Sequence, residues 1–292
     1  LELAEIEVTG RKSLTLPWEE VQIMPIGDAQ VGSKDALEDR LKRHVAWGME
    51  QGNVYFLGMG DYIDLASPSN RKALRSAKLY DVVLESLQDK AKRDCERFLE
   101  LVKGSEGRWL GLLEGHHYYE FEDGTTSDTI IAQRLGCAFL GSCAFVRLVF
   151  KRNGRGGKRG PSLKCTLWAH HGAGNGLTPW SPLNRLYHIM HTFDADVYLI
   201  GHQTKKPAVK VPRIYMSDVP PYRLIAKNKI LAGTGGFSTG YTQGSRHYSG
   251  ARPQGGYVEQ RMLTPVATGG VVVKARPVHT AHYDRIDLNV EI

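Results

Sequence analysis

Five apolar runs in this chain each end on a carboxylate or an imidazole, and this arrangement restricts the fold more than any other feature of the sequence. Val21 to Ile26 ends at Gly27-Asp28, Val54 to Met59 at Gly60-Asp61, and Trp109 to Leu113 at Glu114-Gly115-His116-His117. Cys165 to Ala169 runs into His170-His171, and Val197 to Ile200 into Gly201-His202. Short apolar runs of this kind read as buried strands. Alternating with helical patterns, they predict a layered α/β architecture. In open α/β sheets, ligand sites form beyond the carboxyl ends of the strands, where these polar residues stand.

The connecting segments carry helical spacing. Leu37, Leu41 and Val45 predict an amphipathic helix from Ser33 to Gln51 with Ser33 as its N-cap. A longer helix is expected from Asp81 to Leu101, turning Val82, Leu84, Leu87 and Phe98 to the core. Ala144 to Lys151 and Leu163 to Ala169 predict a hairpin, and the Gly-rich, β-branched part from 229 to 292 predicts strand and loop. Pro25 predicts an edge position or a bulge for the first strand.

A length of 292 residues suits one large domain, 1–292. No apolar run is long enough to cross a membrane, and the acidic start Leu-Glu-Leu-Ala-Glu-Ile-Glu is unlike a signal peptide. Cys95, Cys137, Cys143 and Cys165 have neither C-x-x-C spacing nor the density of a disulfide scaffold, so reduced thiols and a cytoplasmic location are expected.

The polar groups at the strand ends are Asp28-Ala29-Gln30, Gly60-Asp61-Tyr62-Ile63-Asp64, Gly115-His116-His117, His170-His171 and Gly201-His202-Gln203-Thr204. Carboxylate with imidazole suits divalent ions of borderline hardness such as manganese, iron or zinc. A carboxylate shared by two ions sets up a pair that polarises a phosphoryl group and activates water near neutral pH.

In their order, these blocks resemble those of the calcineurin-like metallophosphoesterases, D-x-H, G-D-x-x-D, G-N-H-(D/E), H and G-H-x-H, over residues 27–204. The resemblance implies a four-layer α/β/β/α metallophosphoesterase sandwich and a two-metal centre that hydrolyses phosphomonoesters or phosphodiesters through a metal-bound hydroxide. It implies a second-metal set of Asp61, His116, His202 and one of His170 or His171, with His170, first after the strand, the expected one. The first metal keeps Asp28 and the shared Asp61, but its two family histidines are replaced by Gln30 and Thr204, which would act as neutral oxygen ligands or water supports. His116 stands where the family has Asn, and Tyr118 where it has an acidic residue. His117 matches the histidine that assists the leaving group, with Asp64 orienting it. Imidazole binds first-row ions more tightly than amide or hydroxyl oxygen, so one tight ion and one weaker ion are expected. Manganese is the expected activator, with zinc, iron and magnesium as alternatives. Lys205 and Lys206 follow the last block and would contact substrate phosphate, or else are simply solvated.

The net charge of +7 is partly concentrated between Lys151 and Gly160, where Arg152, Arg155, Lys158 and Arg159 form either a polyanion contact or a solvated hairpin tip. With the site chemistry, this makes a nucleic-acid phosphodiester the expected substrate and a phosphodiesterase or nuclease the expected enzyme. A phosphomonoesterase or cyclic-nucleotide phosphodiesterase is the alternative, and a catalytically weak nucleic-acid-binding relative is a further one. No protein partner is inferable. Gly233 to Tyr241, with Tyr248 and Ala251-Arg252-Pro253-Gln254, is similar to the tail of calcineurin-like proteins from phage and prophage genomes.

Overall fold

A computed structural model describes residues 11–77, 80–153, 159–174, 176–217, 220–241, 257–260, 262–280 and 283–292. Strands β1 (Arg11–Pro17), β2 (Val21–Ile26), β3 (Val54–Gly58), β4 (Trp109–Leu112), β5 (Cys143–Asn153), β6 (Arg159–His170), β7 (Val197–Ile200), β8 (Ala208–Met216), β9 (Leu224–Gly233), β10 (Val272–His279) and β11 (Asp284–Glu291) form two sheets. One has the order β1-β5-β6-β7-β9-β8 and the other β11-β10-β2-β3-β4. The helices are α1 (Glu38–Glu50), α2 (Pro68–Ser76), α3 (Asp81–Leu101), α4 (Ser127–Arg134), α5 (Ser181–Ile189) and the short α6 (Tyr257–Gln260).

The sheets pack face to face. Ile23, Leu57 and Val273 from one share a buried cluster with Val146, Leu148, Leu167, Leu199 and Ile230 from the other. On the outer face of the first sheet, α1, α3 and α4 lay Leu41, Val45, Cys95, Phe98 and Ile131 over Met24, Ile26, Phe56 and Leu112. On the outer face of the second, Leu186 of α5 packs with Trp168, Tyr198 and Leu231. The result is a four-layer α/β/β/α sandwich. Strands covered on both faces carry near-continuous apolar runs, and β7 is buried at every position.

Three local expectations are corrected. First, β2 is an interior strand, lying between β10 and β3. Gln22 donates to Asn53 on the β3 side, and alternate amides point the same way. The missing donor of Pro25 therefore faces β10, whose register with β2 stops at Ile23. Second, α1 begins at Glu38, not Ser33, and its N-cap is Leu37. The Ser33 hydroxyl instead accepts from the Asp35 amide at 3.3 Å, closing a turn ahead of the helix. Third, α3 has the expected bounds but buries Ala91, Asp94, Cys95 and Phe98, while Val82 is exposed. Its first turns project past the layer that covers the rest. Of the segment expected to resemble phage and prophage proteins, Gly233 to Tyr241 is described, and Tyr248 and residues 251–254 lie outside the described residues.

Candidate metal centre

The ends of β2, β3, β4, β6 and β7 bring Asp28, Asp61, His116, His171 and His202 together. One nitrogen from each of His116, His171 and His202 lies within 4.8 Å of the others, and Asp28, Asp61 and His202 form a second such group. Residues with φ > 0 are uncommon outside glycine, and bulky ones there carry strain. Among the described residues, six other than glycine adopt that region, and five of them are Asp28, Gln30, Asp61, His202 and Thr204, with φ from 48° to 63°. The strained turns fold the side chains back over the sheet ends.

Asp61 is the hub. Its Oδ1 accepts from the His116 amide at 2.5 Å and the His117 amide at 3.0 Å, and its Oδ2 accepts from Gln30 Nε2 at 3.1 Å. Gly115 permits this, because a Cβ there would collide with the Asp61 carboxylate and amide. Burial pushes the Asp61 carboxyl up, but the positive charge of His171 and the neighbouring donors outweigh it and hold the group below its usual range. For Asp28 burial wins and raises the carboxyl to about 7, although its Oδ2 accepts from the His202 amide at 3.0 Å.

The imidazoles suit a cation. His171 Nδ1 donates to the Met59 carbonyl at 2.6 Å, which orients the ring. Its Nε2 points at Asp61 Oδ1 from 3.4 Å, buried and without a hydrogen-bond partner. His116 Nδ1 and His202 Nδ1 stand 3.2 Å apart. Burial, then the charge of His171, lowers the pKa of both, to about 4 for His202. His116 and His202 are thus held neutral, while burial lowers His171 but the charge of Asp61 outweighs it and raises the ring to about 9, so its proton faces Asp61 where a divalent ion would replace it. The first-metal position is poorer. It has Asp28 and Asp61, while Gln30 directs its amide nitrogen to Asp61 and the Thr204 methyl faces Gly236 beside Asp28.

The expected preference for His170 is corrected in favour of His171. Successive side chains of a strand point to opposite faces, and His170 follows Trp168 to the outer face, stacking on it at 5.8 Å. His170 Nδ1 accepts from the Gly172 amide at 2.7 Å. Lys205 also turns away from the centre, its Nζ donating to the Gly176 carbonyl and lying 3.5 Å from Ser181 Oγ. The Lys206 stem packs over Gly235. The backbone amides of Gly235, Gly236 and Phe237 donate to Lys205, Gly269 and Asp28 carbonyls, so this glycine-rich stretch closes the fold and offers those amides to no ligand.

The described ends of the basic run, 151–153 and Arg159, are remote from the cluster. The β5–β6 ladder starts at Cys143 and His170, beside the site, and finishes at Asn153 and Arg159. At about 3.3 Å per residue, the twelve residues of β6 place Arg159 about 36 Å from His170. Arg152 lies 3.9 Å from Asp284 and over the Trp18 ring. Arg155 and Lys158 lie outside the described residues, and Arg159 is placed by its backbone alone.

Beside the cluster, His117 Nδ1 bonds Asp64 Oδ1 at 2.7 Å. Burial lowers the His117 pKa, but the Asp64 hydrogen bond and the charges of Asp61, Asp64 and Asp28 outweigh it and leave the ring above its ordinary value. Two supports carry no motif and were invisible in the sequence. Asp128, at the start of α4, accepts from the Gly115 amide at 2.9 Å. Arg71 of α2 donates to the carbonyls of Ala66, His116 and Tyr118 and stacks on the Tyr118 ring at 3.8 Å, tying down the 116–118 turn.

No family model and no curated protein matches the chain. Solved structures similar to it include Vacuolar Protein Sorting 29 from Cryptosporidium parvum, at 12% identity and a TM-score of 0.35, covering 94% of this chain and 98% of that one. Vps29 complexed with zinc, from Entamoeba histolytica, aligns at 11% identity and a TM-score of 0.33, covering 92% and 99%. The calcineurin-like phosphoesterase YfkN from Bacillus subtilis aligns at 13% identity and a TM-score of 0.34, covering 94% and 91%.

Proposed function

We propose that this protein is a metal-dependent phosphoester hydrolase of the calcineurin-like type, acting on phosphodiesters, nucleic-acid backbones among them. The observation that carries the proposal is the grouping of His116, His171 and His202 beside Asp61, with His171 Nε2 buried 3.4 Å from Asp61 Oδ1, next to the His117–Asp64 pair. A core has no use for such a set of polar groups at strand ends, and general acid–base chemistry on a metal-held phosphoryl group does.

Asp61, His116, His171 and His202 would hold the tighter ion, and Asp28 with Asp61 the weaker. Bound there, divalent ions supply charge for the phosphoryl oxygens and acidify water. The protein's own groups do the rest. Asp64 fixes His117 through Nδ1, which leaves Nε2 to donate a proton to the departing oxygen. The raised pKa of His117 keeps that proton in place near neutral pH. Arg71 and Asp128 hold the 116–118 turn, and so hold His117 against the cluster. The positive net charge of +7 favours a polyanion, although Arg152 and Arg159, at the far ends of β5 and β6, stand too far away to touch the scissile group.

Bis(p-nitrophenyl) phosphate tests the proposal. Protein stripped by a chelator should be inactive and should regain turnover when manganese is added. A protein that takes up the ion tightly and hydrolyses neither this diester nor p-nitrophenyl phosphate would point to the binding relative instead.

A further inference from the structure

Behind the metal centre lies a second group of basic side chains that the proposed chemistry does not use. A methyl placed on Gly269 would sit 3.6 Å from Lys206 Nζ and 3.9 Å from Arg40 Nε, and one on Gly270 would sit 2.8 Å from His44 Nε2. All three groups therefore converge on the Gly269–Gly270 backbone, where glycine leaves no side chain of its own. Among the described residues, neither Arg40 nor Lys206 has a carboxylate partner, and His44 Nε2 is buried with no hydrogen bond. Arg40 is exposed and the other two are half-buried, so solvent reaches the group.

Like charges gathered without a counter-charge repel, and burial makes the repulsion dearer. The side chains show the effect. Burial, then the charges of Lys206 and Arg40, lowers His44 to about 4. An anion seated between them would offset the repulsion, accept from Lys206 and Arg40, and give the orphaned His44 nitrogen a partner.

The cluster is also next to the metal position. A Cβ on Gly236 would meet Asp28 Cβ and the Thr204 methyl, while one on Gly235 would meet the Lys206 stem. Gly235 and Gly236 are consecutive, so the Lys206 stem and the Asp28 Cβ flank one short stretch of backbone. One turn further along α1, Trp47 stacks on His44 at 6.2 Å and is 41% exposed, a flat face for a base.

We infer that Arg40, Lys206 and His44 form a phosphate subsite beside the metal centre, which binds a second phosphate carried by a nucleotide substrate. This rests on the phosphoester reading above, and it places the recognition of a polyanion here and not at the remote β5–β6 tip.

Two measurements test it. The first compares, in the manganese-loaded protein, thymidine 3′-(p-nitrophenyl phosphate) with the same ester bearing a 5′-phosphate. The wild-type protein should favour the 5′-phosphorylated ester by about tenfold in kcat/KM, and the R40A/K206A variant should lower that ratio to about one. The second follows the His44 ring by NMR, assigned with H44Q, as inorganic phosphate is added to the metal-free full chain. A saturable shift is expected, with the midpoint moved about tenfold higher in R40A/K206A and also in R40E, which changes only an exposed residue. No saturable shift overturns the subsite. Phosphate binding with no preference between the esters overturns its role with substrate. Failure to hydrolyse either ester with the ion bound overturns the hydrolase reading, and the phosphate titration then decides the subsite by itself.

Discussion

Asp128→Asn isolates a buried carboxylate that supports the site without belonging to it. Asp128 is almost fully buried, and its partners are the Gly115 amide at 2.9 Å and the Ser127 hydroxyl at 3.2 Å, with no cation paired to it. Burial therefore raises its pKa from 3.8 to about 7. For an acid whose folded value lies above its unfolded one, the contribution is full below the unfolded pKa and is lost as pH rises through the folded pKa. The window is pH 3.8 to 7, and a shift of about three units is worth about 4 kcal/mol across it. Asparagine is neutral at every pH and keeps an oxygen for the Gly115 amide. Urea unfolding of metal-free wild-type and variant protein at pH 5 and pH 8 should show the wild-type losing about 2 to 3 kcal/mol more between the two. Other titrating groups are common to both proteins and cancel. Identical losses would refute the account of Asp128 as an uncompensated buried acid.

Asp61→Ala should cut diester turnover by at least about a hundredfold and lower the affinity for both ions, measured by kinetics and calorimetry, because Asp61 groups with Asp28 and His202 and its Oδ1 also lies 3.4 Å from His171 Nε2. His117→Ala should lower kcat by about a hundredfold with ion stoichiometry intact, and loss of an ion by elemental analysis would make His117 a ligand. His44 is held at about 4 against an ordinary 6.5, so its contribution to stability is full above pH 6.5 and is lost as pH falls through 4. This amounts to about 3 kcal/mol, and H44Q should remove that part of the acid loss in unfolding titrations.

The strand ends were legible because doubly covered strands are written as unbroken apolar runs, and the polar residue that stops each run marks where the sheet meets solvent. That reading reached Asp28, Asp61, His116 and His202 as candidates. It could not separate His170 from His171, because which face a strand residue takes depends on the pairing of β6 with β5 and β7, a fact of three dimensions. Asp128 and Arg71 were hidden for another reason: each acts on backbone groups of a distant turn, and a backbone partner leaves no trace in sequence. The basic run was visible as charge, but its distance from the site follows from the length and direction of a hairpin. The cluster of Arg40, His44 and Lys206 was missed because α1 and the loop after β7 supply it from far apart in the chain. Ser33 looked like a cap because Ser closes turns and caps helices with the same hydroxyl chemistry.

The central claim is that three imidazoles and Asp61 hold one ion tightly while the altered first position holds another weakly. Calorimetric titration of chelator-stripped protein with manganese, run on the wild-type, His170→Ala and His171→Ala forms, tests it most directly. The wild-type should show one tight and one weaker event. His170→Ala should reproduce both, and His171→Ala should lose the tight one, with affinity falling by about a hundredfold or more. Two equal tight events in the wild-type, or loss of the tight event in His170→Ala instead, would contradict the assignment.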